Sequence, residues 1–203
     1  DVAWAKGTNA GGLDTGAVGN NTYHWWLIGN ATTHEIDVLA SLSAGAPTMP
    51  AGWVYKRRIF SLARAGGANR LITAREKAGG ALEVLLMVQI LDVSLANPGI
   101  ISILHTLSIP LGVQFGALIN VLIYNGGTAA SRNLLVTSPD QTDSVATGSL
   151  RTLGVSAVAL AVAWAYGEWR TDTSARIRTD LDSSDAETLL QIYTRGWIDD
   201  RVN

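Results

Sequence analysis

Glu35-Ile36-Asp37-Val38-Leu39-Ala40-Ser41 alternates polar and apolar residues. A period of two marks a strand with one buried face. Just upstream, Tyr23-His24-Trp25-Trp26-Leu27-Ile28 is a compact aromatic run that also reads as a strand. Asn30 to Thr33 supply a turn between the two, so the pair predicts a β-hairpin.

The same reading extends outward in both directions. Residues 1–22 are rich in Gly, Asn and Thr, with turn signals at Gly7-Thr8-Asn9-Ala10-Gly11-Gly12 and Gly19-Asn20-Asn21-Thr22. A loop containing Pro47, Pro50 and Gly52 leads to a strand over 53–62, which carries Lys56, Arg57 and Arg58. Gly66-Gly67-Ala68-Asn69 turns the chain into a strand over 70–75. Residues 81–91 fit a helix face as well as a strand, and the strand-like neighbours favour strand. Asn97-Pro98-Gly99 is a turn. Strands are predicted beyond it over 100–109, 113–124, 134–137, 155–169, 175–181 and 189–198, with a polar loop over 138–149. Short strands spaced roughly 8–12 residues apart predict a sandwich or barrel. The expected fold is all-β: two packed antiparallel β-sandwich, jelly-roll-like halves over residues 1–91 and 92–203.

Two pairs of neighbours carry directional predictions. Arg57 and Arg58 lie on one strand and should point to opposite faces. Trp25 and Trp26 should do the same, so both are core only if both faces of that sheet are covered. In the last strand, Leu190 and Ile192 should face the core. Trp197 then falls on the other face unless a bulge at Gly196 re-aims it.

Composition narrows the functional classes. The chain has 203 residues, 47% hydrophobic and 16% charged, with a net charge of −2. About 25% charged is usual for a free-standing domain, so much of the surface is expected to be covered by other subunits. Acids and bases are scattered, and no basic block marks a nucleic-acid arm or a membrane face. Twelve Arg against three Lys favours interface use over plain solubilisation. With no cysteine, disulfides and thiolate metal sites are excluded. The chain opens on Asp1 without a signal-peptide pattern, as expected of a processed chain or a segment of a longer one. The apolar stretch over 155–166 is shorter than the roughly 20 residues that span a bilayer, so membrane insertion is not expected.

Several motifs in order resemble a known family. Gly11-Gly12-Leu13-Asp14-Thr15-Gly16, then Thr22-Tyr23-His24 and Leu27-Ile28, is similar to a motif of tail-fibre-like virion proteins of tailed bacteriophages and prophages. The resemblance continues through Ile36-Asp37-Val38-Leu39, Pro47-Thr48-Met49-Pro50-Ala51-Gly52 and Arg57-Arg58-Ile59. It resumes at Val136-Thr137-Ser138-Pro139-Asp140-Gln141-Thr142-Asp143 and at Arg176 to Arg178, and ends at Gly196-Trp197-Ile198-Asp199 with Arg201. It departs at Phe60, where a Gly usually follows the basic pair. The resemblance implies a virion structural protein at the phage particle surface, in a tail fibre or another appendage used for host attachment. It brings no catalytic residues.

Side chains that could carry chemistry are few. His24, His34 and His105 are far apart and lack the spacing of a zinc protease motif. Asp180, Asp182, Asp185 and Glu187 invite a calcium site, but Asp185 and Gln191 occupy the positions where a helix–loop–helix calcium loop needs Gly and Glu. Asp140 and Asp143 could pair for glycoside cleavage, or bond their own turn. Nucleophile elbows and phosphate-binding glycine loops are absent from the sequence. Seven Trp and five Tyr serve either packing or the stacking of sugar rings.

The expected function is therefore non-enzymatic and architectural, with no catalytic, cofactor or metal site assigned. The expected partners are further copies of the chain, foremost a homotrimer, then other virion proteins and a host-surface glycan. Nucleic acid is not expected. The rival readings are a carbohydrate-binding, receptor-binding module and a glycan hydrolase.

Overall fold

The computed structural model describes residues 12–16, 19–63, 71–127 and 130–200, with 71–73 by backbone alone. Among them are twelve strands and no helix. In chain order they are β1 (Thr22–Asn30), β2 (Ile36–Ser41), β3 (Trp53–Ala63), β4 (Leu71–Glu76), β5 (Leu82–Ala96) and β6 (Ile103–Thr106). Then follow β7 (Gly116–Asn125), β8 (Arg132–Thr137), β9 (Leu153–Val155), β10 (Ala161–Arg170), β11 (Arg176–Leu181) and β12 (Thr188–Asp199). Every pairing between these strands is antiparallel. The chain is all-β, with antiparallel sheets packed together, as the alternation predicts. The turns expected at residues 7–11 and 66–69 lie outside the described residues, as does Arg201.

The predicted hairpin is β1–β2, with Trp26 opposite Leu39 and Trp25 opposite Ala40. Strand β3 pairs with the other side of β1, giving a three-stranded sheet in the order β2-β1-β3. Both faces of this sheet are covered. Trp26, Ile28, Leu39 and Trp53 form one small core. Leu13, Tyr23 and Ala40 form another, with Trp25 packed against it. The adjacent tryptophans thus each find shelter, and Trp25 also stacks on Phe60 with ring centroids 5.5 Å apart.

The larger body sets a five-stranded sheet, β10-β7-β12-β5-β4, against a four-stranded sheet, β6-β11-β8-β9. Alternate residues of β7 (Ala117, Ile119, Val121 and Ile123) point inward, beside Leu190 and Ile192 of β12. Leu134 and Val136 of β8 and Ile177 and Leu181 of β11 belong to the same core. Each such side chain, fully buried, contributes about 1.5–3 kcal/mol. Leu190 and Ile192 face the core as their register predicts. Trp197 joins them, because the pairing of β12 shifts between Thr194 and Gly196 on both of its neighbours.

Three sequence expectations on element limits are revised. Strand β5 continues past residue 91 to Ala96, with a register shift against β12 at Asp92, and the chain then turns at Asn97 and Gly99, both with positive φ. Residues 155–169 are two elements: β9 ends at Val155 and β10 begins at Ala161. Between them Leu160 takes a φ of 61°, and the Ala161 N–H donates to the Val158 carbonyl at 3.2 Å. Val158 and Leu160 kept the stretch apolar through a turn, so hydrophobicity alone did not mark the break. Of residues 100–109 Ile103–Thr106 form the strand; Leu107, whose N–H still donates to the Ala175 carbonyl at 2.9 Å, and Ile109 lie beyond it and plug the core.

Candidate functional site

The strands bring three polar residues together where the three-stranded sheet meets the sandwich. Arg58 of β3 is buried and donates to both carboxylate oxygens of Asp199 on β12, at 2.6 and 2.9 Å. It also donates to the Ser61 hydroxyl at 2.9 Å, and that hydroxyl lies 2.8 Å from His24 Nδ1. The Ser61 proton is free to point at Nδ1, which accepts it when His24 is neutral with its own proton on Nε2. Burial, with the Arg58 charge in second place, pushes the His24 pKa down to about 4, against a smaller opposing pull from Asp199. Ser, His and Asp thus sit close together, but not as a nucleophilic triad. Such a triad needs the carboxylate on the imidazole and a serine that substrate can reach. Here Arg58 holds the carboxylate, and Ser61 has no exposed surface.

The other candidates are held by separate neighbours. His105 is buried, its Nε2 2.7 Å from the Thr179 hydroxyl, and burial lowers its pKa. His34 is exposed in the β1–β2 turn with a φ of 59°. In the acidic cluster, Asp180 accepts from the Ala146 N–H at 2.7 Å. Asp182 accepts from the Asn133 N–H at 2.8 Å and from its side-chain amide, and Asp185 is ion-paired with buried Arg132. Among the described residues no group of three or more His, Asp or Glu is placed to hold a metal. Asp140 accepts from Gln114 at 2.6 Å, whereas Asp143 accepts from Ser102 at 3.0 Å. Their loop is fastened by Arg178, which donates to the Gln141 and Pro139 carbonyls at 2.8 and 3.2 Å. These carboxylates bind the loop to the sandwich.

A cleft of about 1470 Å³ opens between β3 and the ends of β7, β10 and β12. Lys56, Arg57 and Arg170 line it together with Glu168 and Asp200. Its charge is mixed, and Lys56 lies over the Trp26 ring at 5.7 Å.

The most distinctive surface is the outer face of the five-stranded sheet. Strand β10 reads Ala161-Val162-Ala163-Trp164-Ala165-Tyr166-Gly167, with the small residues facing inward and the large ones outward. Trp164 and Tyr166 are each 67% exposed, and their rings stack with centroids 6.0 Å apart. The register extends this surface across the sheet. Tyr166, Asn120, Tyr193 and Leu91 form one row, and Trp164, Leu122, Gln191 and Ser94 the next. Val162, Tyr124, Leu189 and Ala96 form a third. Seven Trp and five Tyr are visible in the sequence, but their number alone does not place this pair. The signal is the small–large alternation over residues 161–167, because small residues on every second position of a strand leave the bulk on the opposite face.

Comparison of the chain with protein-family models, with curated proteins and with solved structures gives no match.

Proposed function

We propose that this chain is a non-enzymatic structural module of a bacteriophage virion, part of a tail fibre or another surface appendage, and that it works as a homo-oligomer. The observation that carries the self-association is the outer face of the five-stranded sheet. Three cross-strand rows place aromatic and aliphatic side chains there, and among the described residues Trp164, Tyr166 and Val162 stay exposed. Exposed apolar patches of this kind mark interaction surfaces. The low charged fraction, 16%, points the same way. An architectural role is further supported by how the polar residues are used: Arg58, Asp199, Asp182 and Asp185 hold elements of the fold together. The virion assignment rests on the family resemblance, which also favours three copies. Other virion proteins are the expected neighbours in the particle.

Native mass measurement of the purified chain tests the assembly, and a stable monomer at micromolar concentration sinks it. Immunogold labelling of intact particles tests the location, with gold expected on the tail or its appendages.

A second reading is favoured by one observation. The stacked Trp164–Tyr166 pair lies in the same rows as the amides of Asn120 and Gln191, which suits a host-surface glycan: rings for the sugar faces, amides for its hydroxyls. Binding on a glycan array that is lost in Trp164→Ala would establish it.

A further inference from the structure

Among the described residues strand β10 is an edge of its sheet. Among the described strands it pairs with β7 alone, so alternate backbone N–H and C=O groups along ten residues face away from the sheet. Long, flat edges are templates for another strand, and proteins blunt them with charge, proline, bulges or shortness. The other edges among the described strands are blunted in those ways. Strand β3 carries Lys56, Arg57 and Arg58 and a register shift against β1. Strands β2 and β4 have six residues each, β6 has four and β9 three. Strand β10 has neither proline nor a register shift against β7, and its only charges are Glu168 and Arg170 at one end.

We propose that the β10 edge pairs antiparallel with the β10 edge of a second copy, about a two-fold axis through Ala165. This rests on the self-association proposed above and says how one of its contacts is made. The strand is self-complementary in that register. Trp164 falls opposite Tyr166 of the second copy and the reverse, and aromatic cross-strand pairs are favourable. On the inner side Ala165 meets Ala165 and Ala163 meets Gly167, and Trp169, the one bulky inner residue, falls opposite Ala161. Glu168 falls opposite Val162 and Arg170 opposite Leu160, so no like charges face each other. The two five-stranded sheets become one ten-stranded sheet. Their outer aromatic rows lie on the same side, since an axis normal to the sheet keeps each face where it was.

A two-fold contact closes at two copies. The assembly is therefore a dimer, or a pair of trimers if the outer faces also meet around a three-fold axis. The chain has no cysteine, so cross-linking can be read cleanly. The full-length variants Trp164→Cys and Tyr166→Cys each keep one aromatic of the pair. Opposed residues in an antiparallel pair have Cβ atoms about 4.5–5.5 Å apart, at the edge of disulfide reach. Under mild oxidation an equimolar mixture of the two is expected to form a covalent dimer, and either variant alone is not. Residue-resolved hydrogen exchange on the unmodified protein should show β10 amides protected without alternation. An even-numbered native mass with mixture-specific cross-linking supports the pairing. A plain trimer, or an oligomer in which every second β10 amide exchanges freely, overturns the pairing and leaves self-association standing. A monomer overturns both.

Discussion

Arg58 and Asp199 lie 141 positions apart in the chain and form a buried, two-pronged ion pair. One residue belongs to the three-stranded sheet and the other ends the last strand of the sandwich, so the pair fastens the two together. Breaking such a pair by removing one member leaves a buried charge uncompensated, at a cost of about 3–5 kcal/mol. Arg57, the next residue, is exposed. Arg58→Ala is therefore expected to destabilise by about 3–5 kcal/mol, and Arg57→Ala by no more than about 0.5 kcal/mol. Denaturant melts of the two variants check this. Equal, small losses would mean that the buried pair is not formed.

His24 gives the same junction a pH dependence. Its pKa is about 4 in the folded protein, against 6.5 for an unperturbed histidine. As pH falls below 6.5 the unfolded chain takes up a proton that the folded one refuses, so stability is lost between pH 6.5 and 4. Above that window the contribution is fully present. A pKa difference of one is worth about 1.4 kcal/mol, which sets the loss on the order of 3 kcal/mol. His24→Asn keeps a polar side chain but cannot titrate. Its stability should be flatter than wild type between pH 4 and 6.5, and an unchanged slope would remove His24 as the cause.

The outer aromatic face should matter for assembly and not for folding. Trp164 is 67% exposed, so Trp164→Ala is expected to change the stability of a single copy by no more than about 0.5 kcal/mol. Large aromatics at the centre of an interface commonly contribute 2 kcal/mol or more, so self-association should weaken by about thirtyfold. Sedimentation over a concentration series reads this directly. Unchanged assembly in both Trp164→Ala and Tyr166→Ala would place the contact elsewhere.

Much of the fold was legible because it follows local alternation. The hairpin of β1 and β2, the opposite directions of Arg57 and Arg58, and the inward set of Leu190 and Ile192 all come from a period of two. What escaped depends on distant partners. Sequence spacing could not show that Asp199 completes Arg58, or that Asp182 and Asp185 bind Asn133 and Arg132. The turn at Leu160 hid because its residues are apolar. The exposed Trp164–Tyr166 pair hid because aromatic residues read as core until small alanines opposite them are seen to occupy the inner face.

The end of the chain is predicted to be essential. Strand β12 lies between β7 and β5, so both of its edges are paired and its loss would split the five-stranded sheet. Trp197 is 1% exposed and packs in the main core. It reaches the core because the ladder slips at Gly196, and only glycine fits that slip: a Cβ there would stand 2.0 Å from the Val84 carbonyl oxygen. Truncation after Gln191 removes Trp197 and Asp199 together, and the shortened chain should not fold. Trp197→Ala removes the ring alone, at about 3–5 kcal/mol, a large share of the 5–15 kcal/mol typical of a domain. Trp197→Phe should cost clearly less, because among the described residues the indole N–H has no hydrogen-bond partner, and phenylalanine keeps most of the apolar area without that group. Gly196→Ala should be damaging although it adds a single methyl, since it pushes β12 off β5 or forces Trp197 out of register. Thermal melts of the full-length variants should rank wild type above Trp197→Phe, and Trp197→Phe above Trp197→Ala, with Gly196→Ala clearly below wild type. A Gly196→Ala protein that melts with wild type would show that the slip is not needed to bury Trp197.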